Sequence, residues 1–244
     1  MPTQHALLSA SGAHRWLHCT GSPLLEKDFP DSTSIYAQEG TLAHELCELK
    51  LMAYTGEITK RKLTSMKNKL MKSELWQPEM DSTSEAYLDY IKDITMSYTV
   101  KPVILTEKRV DFSQYVPDGF GTADCLILAG DTLHVVDYKH GKGVVVDADH
   151  NPQMMLYALG AMSELSLLYR FKFVHMTIVQ PRVNNISEFT MTADELIEWG
   201  ETVVKPKAEA AISGKGEFEA GDWCRFCRAK QRCKTRYESN DSLY

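Results

Sequence analysis

Asp124 and the triplet Asp137-Tyr138-Lys139 are the residues of this sequence best suited to chemistry. Asp124 ends Gly121-Thr122-Ala123-Asp124 within one β-rich run. Asp137 and Lys139 lie two apart in the next, so on a strand their side chains leave the same face. Ala129-Gly130-Asp131 between the runs reads as a hairpin turn. With the turn there, Asp124 and Asp137 fall opposite or diagonal to each other, about 5 to 8 Å apart. Carboxylates at that range repel unless a cation lies between them, and hard oxygen donors suit Mg²⁺ or Mn²⁺. A lysine beside such a cation can orient an attacking water, help lower its pKa and offset charge in a phosphorane-like transition state. The neighbours Leu126, Ile127, Leu128, Val135 and Val136 are apolar, which puts three charges at the rim of a dry core, where unpaired charge is costly. Taken alone, Asp-x-Lys fits a surface ion pair equally well.

Two further features accompany the triplet. His44 falls in Gly40-Thr41-Leu42-Ala43-His44-Glu45 on a helical segment, and Gln153 and Tyr157 are one turn apart on the helix after the hairpin. The combination resembles the RecB-like exonuclease branch of the PD-(D/E)XK superfamily. That branch carries a histidine on the first helix, Gly-x-x-Asp, Asp/Glu-x-Lys and Gln-x-x-x-Tyr, and all four occur here in order between Gly40 and Pro181. The resemblance implies that His44, Asp124 and Asp137 ligate the metal with the Tyr138 carbonyl. It also implies Lys139 as the water-positioning residue, and Gln153 and Tyr157 as contacts to DNA or to that lysine. Two departures stand out: Asp137 replaces a longer glutamate, and the insertion Thr55–Gln77 has no obvious counterpart. Glu107 is left outside the site, because glutamates on a first strand also serve in ion pairs. Asp147, Asp149 and His150 read as loop solvation and N-capping.

Six cysteines in a chain without a secretory start suggest metal or cluster ligation before disulfides, and a cytoplasmic setting. Cys224-x-x-Cys227-x5-Cys233 supplies three thiols late in the sequence. Cys47 belongs to an amphipathic helix and Cys125 to a core strand, where a lone cysteine behaves as a small apolar residue. Cys19, in a loop-like stretch before Pro23, is the remaining fourth ligand. Four thiolates hold either [4Fe–4S] or Zn²⁺. The arrangement resembles the iron–sulfur RecB-like nucleases, which pair one upstream cysteine with a C-terminal Cys-x-x-Cys-x5-Cys, and this resemblance favours the cluster. Such a site would join residues 1–37 to residues 214–244, closing a loop of about 200 residues and restricting the unfolded chain.

These residues need a scaffold. A helix is expected over Gln38–Tyr54, from the spacing of Leu42, Leu46 and Leu49, and another from caps at Asp81–Ser84 through Tyr98. Short strands follow at Val103–Asp111, Phe120–Leu128 and Leu133–Lys139. Pro152 opens a helix to about Ser166, Phe171–Val179 is a strand closed by Pro181, and Thr192 with Glu195 caps a long helix that Pro206 kinks or divides. The basic, mostly polar stretch after Tyr54 reads as a loop or a loosely packed insertion. The order is helix, three strands, helix, strand, which an α/β sandwich around a mixed sheet accounts for, in one domain over residues 1–244; that this is a PD-(D/E)XK core is what the resemblance implies.

The net charge of −6 gives no sign of a nucleic-acid partner, but its distribution does. Lys60–Lys72 and Cys224–Arg236 are basic runs free of acids, able to track a phosphate backbone or to form a solvated face. Trp223, just before the second run, and Phe226 within it could add base stacking to single-stranded DNA. No apolar run is long enough to span a membrane. The leading expectation is a Mg²⁺/Mn²⁺-dependent exonuclease acting on single-stranded DNA or DNA ends. Similar stand-alone proteins are common in phages and prophages, which implies a role in recombination or DNA processing, with a homo-oligomer or a recombination partner protein. The alternative is a non-catalytic iron–sulfur or zinc DNA-binding module. Protein purified anaerobically is expected to be brown, to absorb broadly around 400 nm and to carry about four irons per chain. Cys19→Ala, Cys224→Ala, Cys227→Ala and Cys233→Ala should bleach it, and Cys47→Ala and Cys125→Ala should not. One tight zinc with negligible iron would remove the cluster and leave the four-cysteine site.

Overall fold

The computed structural model describes residues 6–30 and 34–241. The parts of the expected terminal subregions at residues 1–5, 31–33 and 242–244 lie outside the described residues. In chain order the elements are α1 (Ala13–His18), α2 (Ser22–Glu26), α3 (Ile35–Thr55), α4 (Lys60–Leu70), α5 (Glu79–Ser97), β1 (Val103–Asp111), β2 (Phe120–Ala129), β3 (Thr132–Tyr138), α6 (Pro152–Leu165), β4 (Phe173–Gln180), β5 (Asn185–Thr192), α7 (Ala193–Trp199), α8 (Lys205–Ile212) and α9 (Lys234–Asp241).

The strands form one sheet in the order β1-β2-β3-β4-β5, with β3 and β4 parallel and the other neighbours antiparallel. This is the expected mixed α/β architecture. Alternation along β2 and β3 feeds two cores. Leu126, Leu128, Leu133 and Val135 pack with Met154, Leu156 and Leu159 of α6. Cys125, Ile127, Val136 and Tyr138 pack with Leu46 and Leu51 of α3 and Ile91 of α5. Both large helices of the site are thereby pressed onto opposite faces of the same two strands.

Local chemistry explains where the elements depart from expectation. The basic stretch is no loop: α4 is capped by Thr59, whose hydroxyl accepts from Lys62 N–H, and it consists of good helix formers. It buries no residue, so it lacked the apolar stripe that would have announced it. Its Lys67 finds its acid in space, 2.6 Å from Asp81. α5 begins before its expected caps. The hydroxyls of Ser82, Thr83 and Ser84 donate backward to carbonyls of the same helix and do not cap it. Asn151, and not Asp147, Asp149 or His150, caps α6 by accepting from the N–H groups of Gln153 and Met154. The expected order also lacked β5, an edge strand whose residues alternate between half-buried and exposed and whose sequence is mostly polar. The Thr192–Glu195 capping box is present. Before Pro206 the helix opens into a π-helical turn over Gly200–Val204, which divides α7 from α8.

The two terminal regions meet through their own contacts. Trp16 and Leu17 of α1 enter the α6-side core, and Lys207 of α8 donates to the Leu17 carbonyl at 2.6 Å. Gly21 N–H donates to Glu217 O at 2.8 Å, and Glu217 N–H donates to Thr20 Oγ1 at 2.8 Å. Glu26, only 3% exposed, binds both sides: Oε2 accepts from Arg15 Nε at 2.9 Å and Oε1 from the Arg228 backbone N–H at 2.7 Å. Removing one partner of a buried ion pair typically costs about 3 kcal/mol. Glu26→Ala should therefore lower the unfolding free energy by that order, read as a lower urea midpoint at unchanged slope, and Glu26→Gln, which keeps an acceptor, by less. Equal midpoints for all three proteins would refute this role.

Candidate metal centre and thiol pocket

Strand register builds the acidic part of the site. Thr106 pairs with Cys125 and Lys108 with Ala123, which sets Glu107 against Asp124. Cys125 pairs with Val136, which sets Asp124 against Asp137, one step beyond the last pair of that ladder. Three carboxylates thus stand in a row across β1, β2 and β3. Glu107 has a positive φ of 46°, a conformation that non-glycine residues adopt at a cost. At Asp124 the ladder gives way: Tyr138 N–H donates to Asp124 Oδ2 at 2.8 Å instead of to a backbone carbonyl.

Helices supply the rest. His44 Nδ1, from α3, lies 3.3 Å from Asp124 Oδ2. Lys139, just past β3, has Nζ 2.9 Å from Asp137 Oδ2 and donates to Gln153 Oε1 at 3.1 Å. Gln153 Nε2 in turn donates to Tyr157 Oη at 2.9 Å. The Tyr157 ring packs on Gly121, where a Cβ would come within 2.6 Å of Cε1, so glycine in Gly-x-x-Asp is required by the tyrosine in Gln-x-x-x-Tyr. His140 extends the brace. Its Nε2 is 2.9 Å from Glu39 Oε1 of α3, and Arg182 Nη1 bridges Glu39 Oε1 at 2.8 Å and His140 O at 3.3 Å.

The six side chains singled out for catalysis fall into two contact sets, His44 with Asp124 and Asp137 through Lys139 and Gln153 to Tyr157, and register sets Asp124 opposite Asp137 between them. The row differs from expectation in its acids. Ligand atoms of His44, Glu107 and Asp124 lie within 4.8 Å of one another, whereas Asp137 stands outside this trio, beside Lys139. Glu107 was left aside on sequence; its position opposite Asp124 in the ladder is the signal that identifies it.

The electrostatics reflect crowding. Burial works against the His44 charge, yet Asp124 and then Asp137 raise its pKa to about 9. Burial and Asp124 push Glu107 up to about 7. Burial also disfavours ionised Asp124, but His44, Lys139 and the Tyr138 N–H hold its pKa below the usual carboxylate value. Asp137 goes the other way, raised by burial and by Asp124 against the pull of Lys139. Burial opposes the Lys139 charge, and Asp137 and Asp124 outweigh it, so Lys139 stays cationic. Asp137 Oδ2 is fully shielded without a hydrogen bond of good geometry. A row of hard oxygen donors with one imidazole, a shielded carboxylate oxygen and acids that retain protons fits a divalent cation.

The four cysteines Cys19, Cys224, Cys227 and Cys233 line one pocket with Arg15 and Lys230. Cys19 Sγ accepts from Glu219 N–H at 3.5 Å. Burial and the neighbouring Glu26 push the Cys227 thiol up to about 11, against the pull of Arg15. Among the described residues no three of these thiols bring their sulfurs within 4.8 Å of one another, so the pocket gathers the four cysteines without forming a zinc-sized ligand set. Cys47 and Cys125 are buried in the α3-side core. Beside the pocket, Trp223 is stacked on His18 at 4.3 Å, while Phe226 stays 67% exposed.

A divalent ion must displace the protons that Glu107 holds to about pH 7 and His44 to about pH 9. Deprotonation favours binding, so Mn²⁺ affinity should climb with pH and level off above the His44 value. Calorimetry should show proton release, Glu107→Gln should flatten the lower part of the climb, and His44→Ala the upper. Affinity independent of pH between about 6 and 9 would refute the site.

A solved structure described as the crystal structure of SSO0001 is similar to this chain at 13% sequence identity and a TM-score of 0.37, over 80% of this chain and 85% of that one. The model of a family described as a protein of unknown function (DUF2800) matches residues 5–244, and the chain belongs to that family.

Proposed function

We propose that the protein is a divalent-metal-dependent deoxyribonuclease of the RecB-like PD-(D/E)XK type, an exonuclease acting on single-stranded DNA or DNA ends. One observation carries the reading. His44, Asp124, Asp137, Lys139, Gln153 and Tyr157, scattered over more than a hundred residues, converge as two contact sets, His44 with Asp124 beside Glu107 and Asp137 through Lys139 and Gln153 to Tyr157, which strand register sets side by side. A set needed only for packing has no reason to concentrate acids on adjacent strands, where they repel.

Mg²⁺ or Mn²⁺ would be held by Asp124, Asp137 and His44, with Glu107 as an additional donor and, as the resemblance implies, the Tyr138 carbonyl; it would supply Lewis acidity and charge neutralisation at the phosphate. Lys139 acts as a donor and not as a base, since Asp137 and Asp124 keep it protonated. Its ammonium orients the water that attacks phosphorus and stabilises charge as the P–O bond to the leaving strand breaks. Gln153 aims Nζ, and Tyr157 aims Gln153, so this pair fixes the lysine within the small tolerance that such positioning demands. We assign the thiol pocket to a [4Fe–4S] cluster, with Zn²⁺ as its competitor, in a structural role between the terminal regions. The basic residues of α4 and of Arg225–Arg236 are the proposed path for the DNA backbone.

Asp124→Asn and Asp137→Asn keep size and packing while removing a ligand charge. Each is expected to fold normally and to lose about 10²- to 10³-fold in cleavage of end-labelled DNA. Lys139→Ala should lose a similar factor while its Mn²⁺ affinity stays near wild type. If wild type, Asp137→Asn and Lys139→Ala, with matched metal content, degrade DNA at one rate, the proposed site is not the source of activity.

A further inference from the structure

The segment from His140 to Asn151 leaves the site at Lys139 and returns to it at Gln153, yet none of its side chains enters the chemistry above. Its base is pinned by the β4–β5 hairpin. Gln180, 1% exposed, donates from Nε2 to Gly141 O at 2.6 Å and Val144 O at 2.8 Å, and accepts at Oε1 from Val146 N–H at 3.1 Å. Asn185 Nδ2 donates to Val146 O at 2.9 Å. Ser187 Oγ accepts from Ala148 N–H at 2.9 Å and donates to Asp147 Oδ1 at 2.6 Å. A buried amide committed to the backbone of one loop fixes that loop's shape.

What this anchor holds out to solvent is apolar. Val144 is 41% and Val145 64% exposed, on a tip that also exposes Gly141, Lys142 and Gly143. Val146, by contrast, packs on the α6-side core, so the loop had a buried position to offer and used it for one valine of three. At Gly141 and Gly143 an added Cβ would meet nothing, so these glycines flank Lys142 without crowding and leave its backbone open to close approach. Two adjacent solvated β-branched side chains, beside a cation and between two catalytic positions, are placed to meet a ligand that is apolar on one surface and anionic on another.

We propose that this tip selects unpaired strand ends: Lys142 takes a backbone phosphate, and Val144 with Val145 forms an apolar shelf on which the nucleobase beside the scissile bond packs. The inference rests on the nuclease reading and names its substrate class. An interior paired base has both faces stacked and the outer face of a terminal pair is fixed in its partner's plane, whereas an unpaired base is free to turn a face onto the shelf. Every base has such a face, so the selection is by pairing and not by sequence.

The test uses the full chain with Ca²⁺, which is expected to permit binding without hydrolysis. Wild type and the Val144→Ser/Val145→Ser double variant are titrated by fluorescence anisotropy against a labelled single strand of about 12 nucleotides and against an abasic strand of equal length. Wild type should bind the base-bearing strand about tenfold more tightly than the abasic one. The double variant should lose that ratio yet bind the abasic strand as wild type does, which damaged folding would not allow. Lys142→Ala should weaken both and reduce the log–log salt slope by about 0.7. A wild-type ratio near one, an unchanged ratio in the double variant, or equal weakening on both strands would each overturn the shelf. Cleavage by wild type in Mg²⁺ separates the two readings. With cleavage dependent on Asp137 and Lys139 but no base-dependent ratio, the shelf alone fails; with cleavage indifferent to both residues, the nuclease reading fails with it.

Discussion

Like charge placed where a sheet is least able to dissipate it governs this structure. Glu107, Asp124 and Asp137 face one another across three strands, with apolar cores on both sides, and their mutual repulsion is reduced in three distinguishable ways. Glu107 and Asp137 are driven toward their protonated forms, and Asp124 is kept ionised by His44 and Lys139. The backbone also yields, at the positive φ of Glu107 and where the β2–β3 ladder ends. Opposed shifts of this kind concentrate at functional sites, and they support the proposed metal centre.

The remaining architecture can be understood as holding that row together. α3 brings His44 from one side and α6 brings Gln153 and Tyr157 from the other, each fixed by packing on β2 and β3. The Glu39–His140–Arg182 bridge ties the chain beyond Lys139 to α3, so the lysine and the histidine keep a common frame although they belong to different elements. Substituting Gly121 would strike Tyr157, and displacing Tyr157 would release Gln153 and so Lys139.

Much of this was legible before any coordinates. The hairpin was announced by apolar runs on both sides of Gly130, and the alternation within them put Asp137 and Lys139 on one face. What escaped had little hydrophobic signature. α4 buries nothing and β5 alternates only partial burial, so a pattern argument had no stripe to find. Glu107 escaped for another reason: its meaning lies in register, which depends on the turn and on the neighbouring strand and not on its own sequence context. The serine-rich start of α5 misled because hydroxyls that can cap a helix can also bond back within it. Elimination and spacing point to Cys19, Cys224, Cys227 and Cys233, and these four line one pocket.

The joining of α1 and α2 to the far end of the chain sets an order of events during synthesis. Trp16 and Leu17 belong to the core formed with α6, the Leu17 carbonyl is bound by Lys207, and Glu26 is satisfied by the Arg228 backbone. A ribosome delivers residues 13–26 long before residues 207–228, so α1 and α2 must wait with their apolar faces uncovered while the sheet assembles behind them. Contacts of such sequence separation are slow to form and leave surface open to misassociation. These two helices are thus secured long after they are made, and it is there that the nascent chain most needs a chaperone.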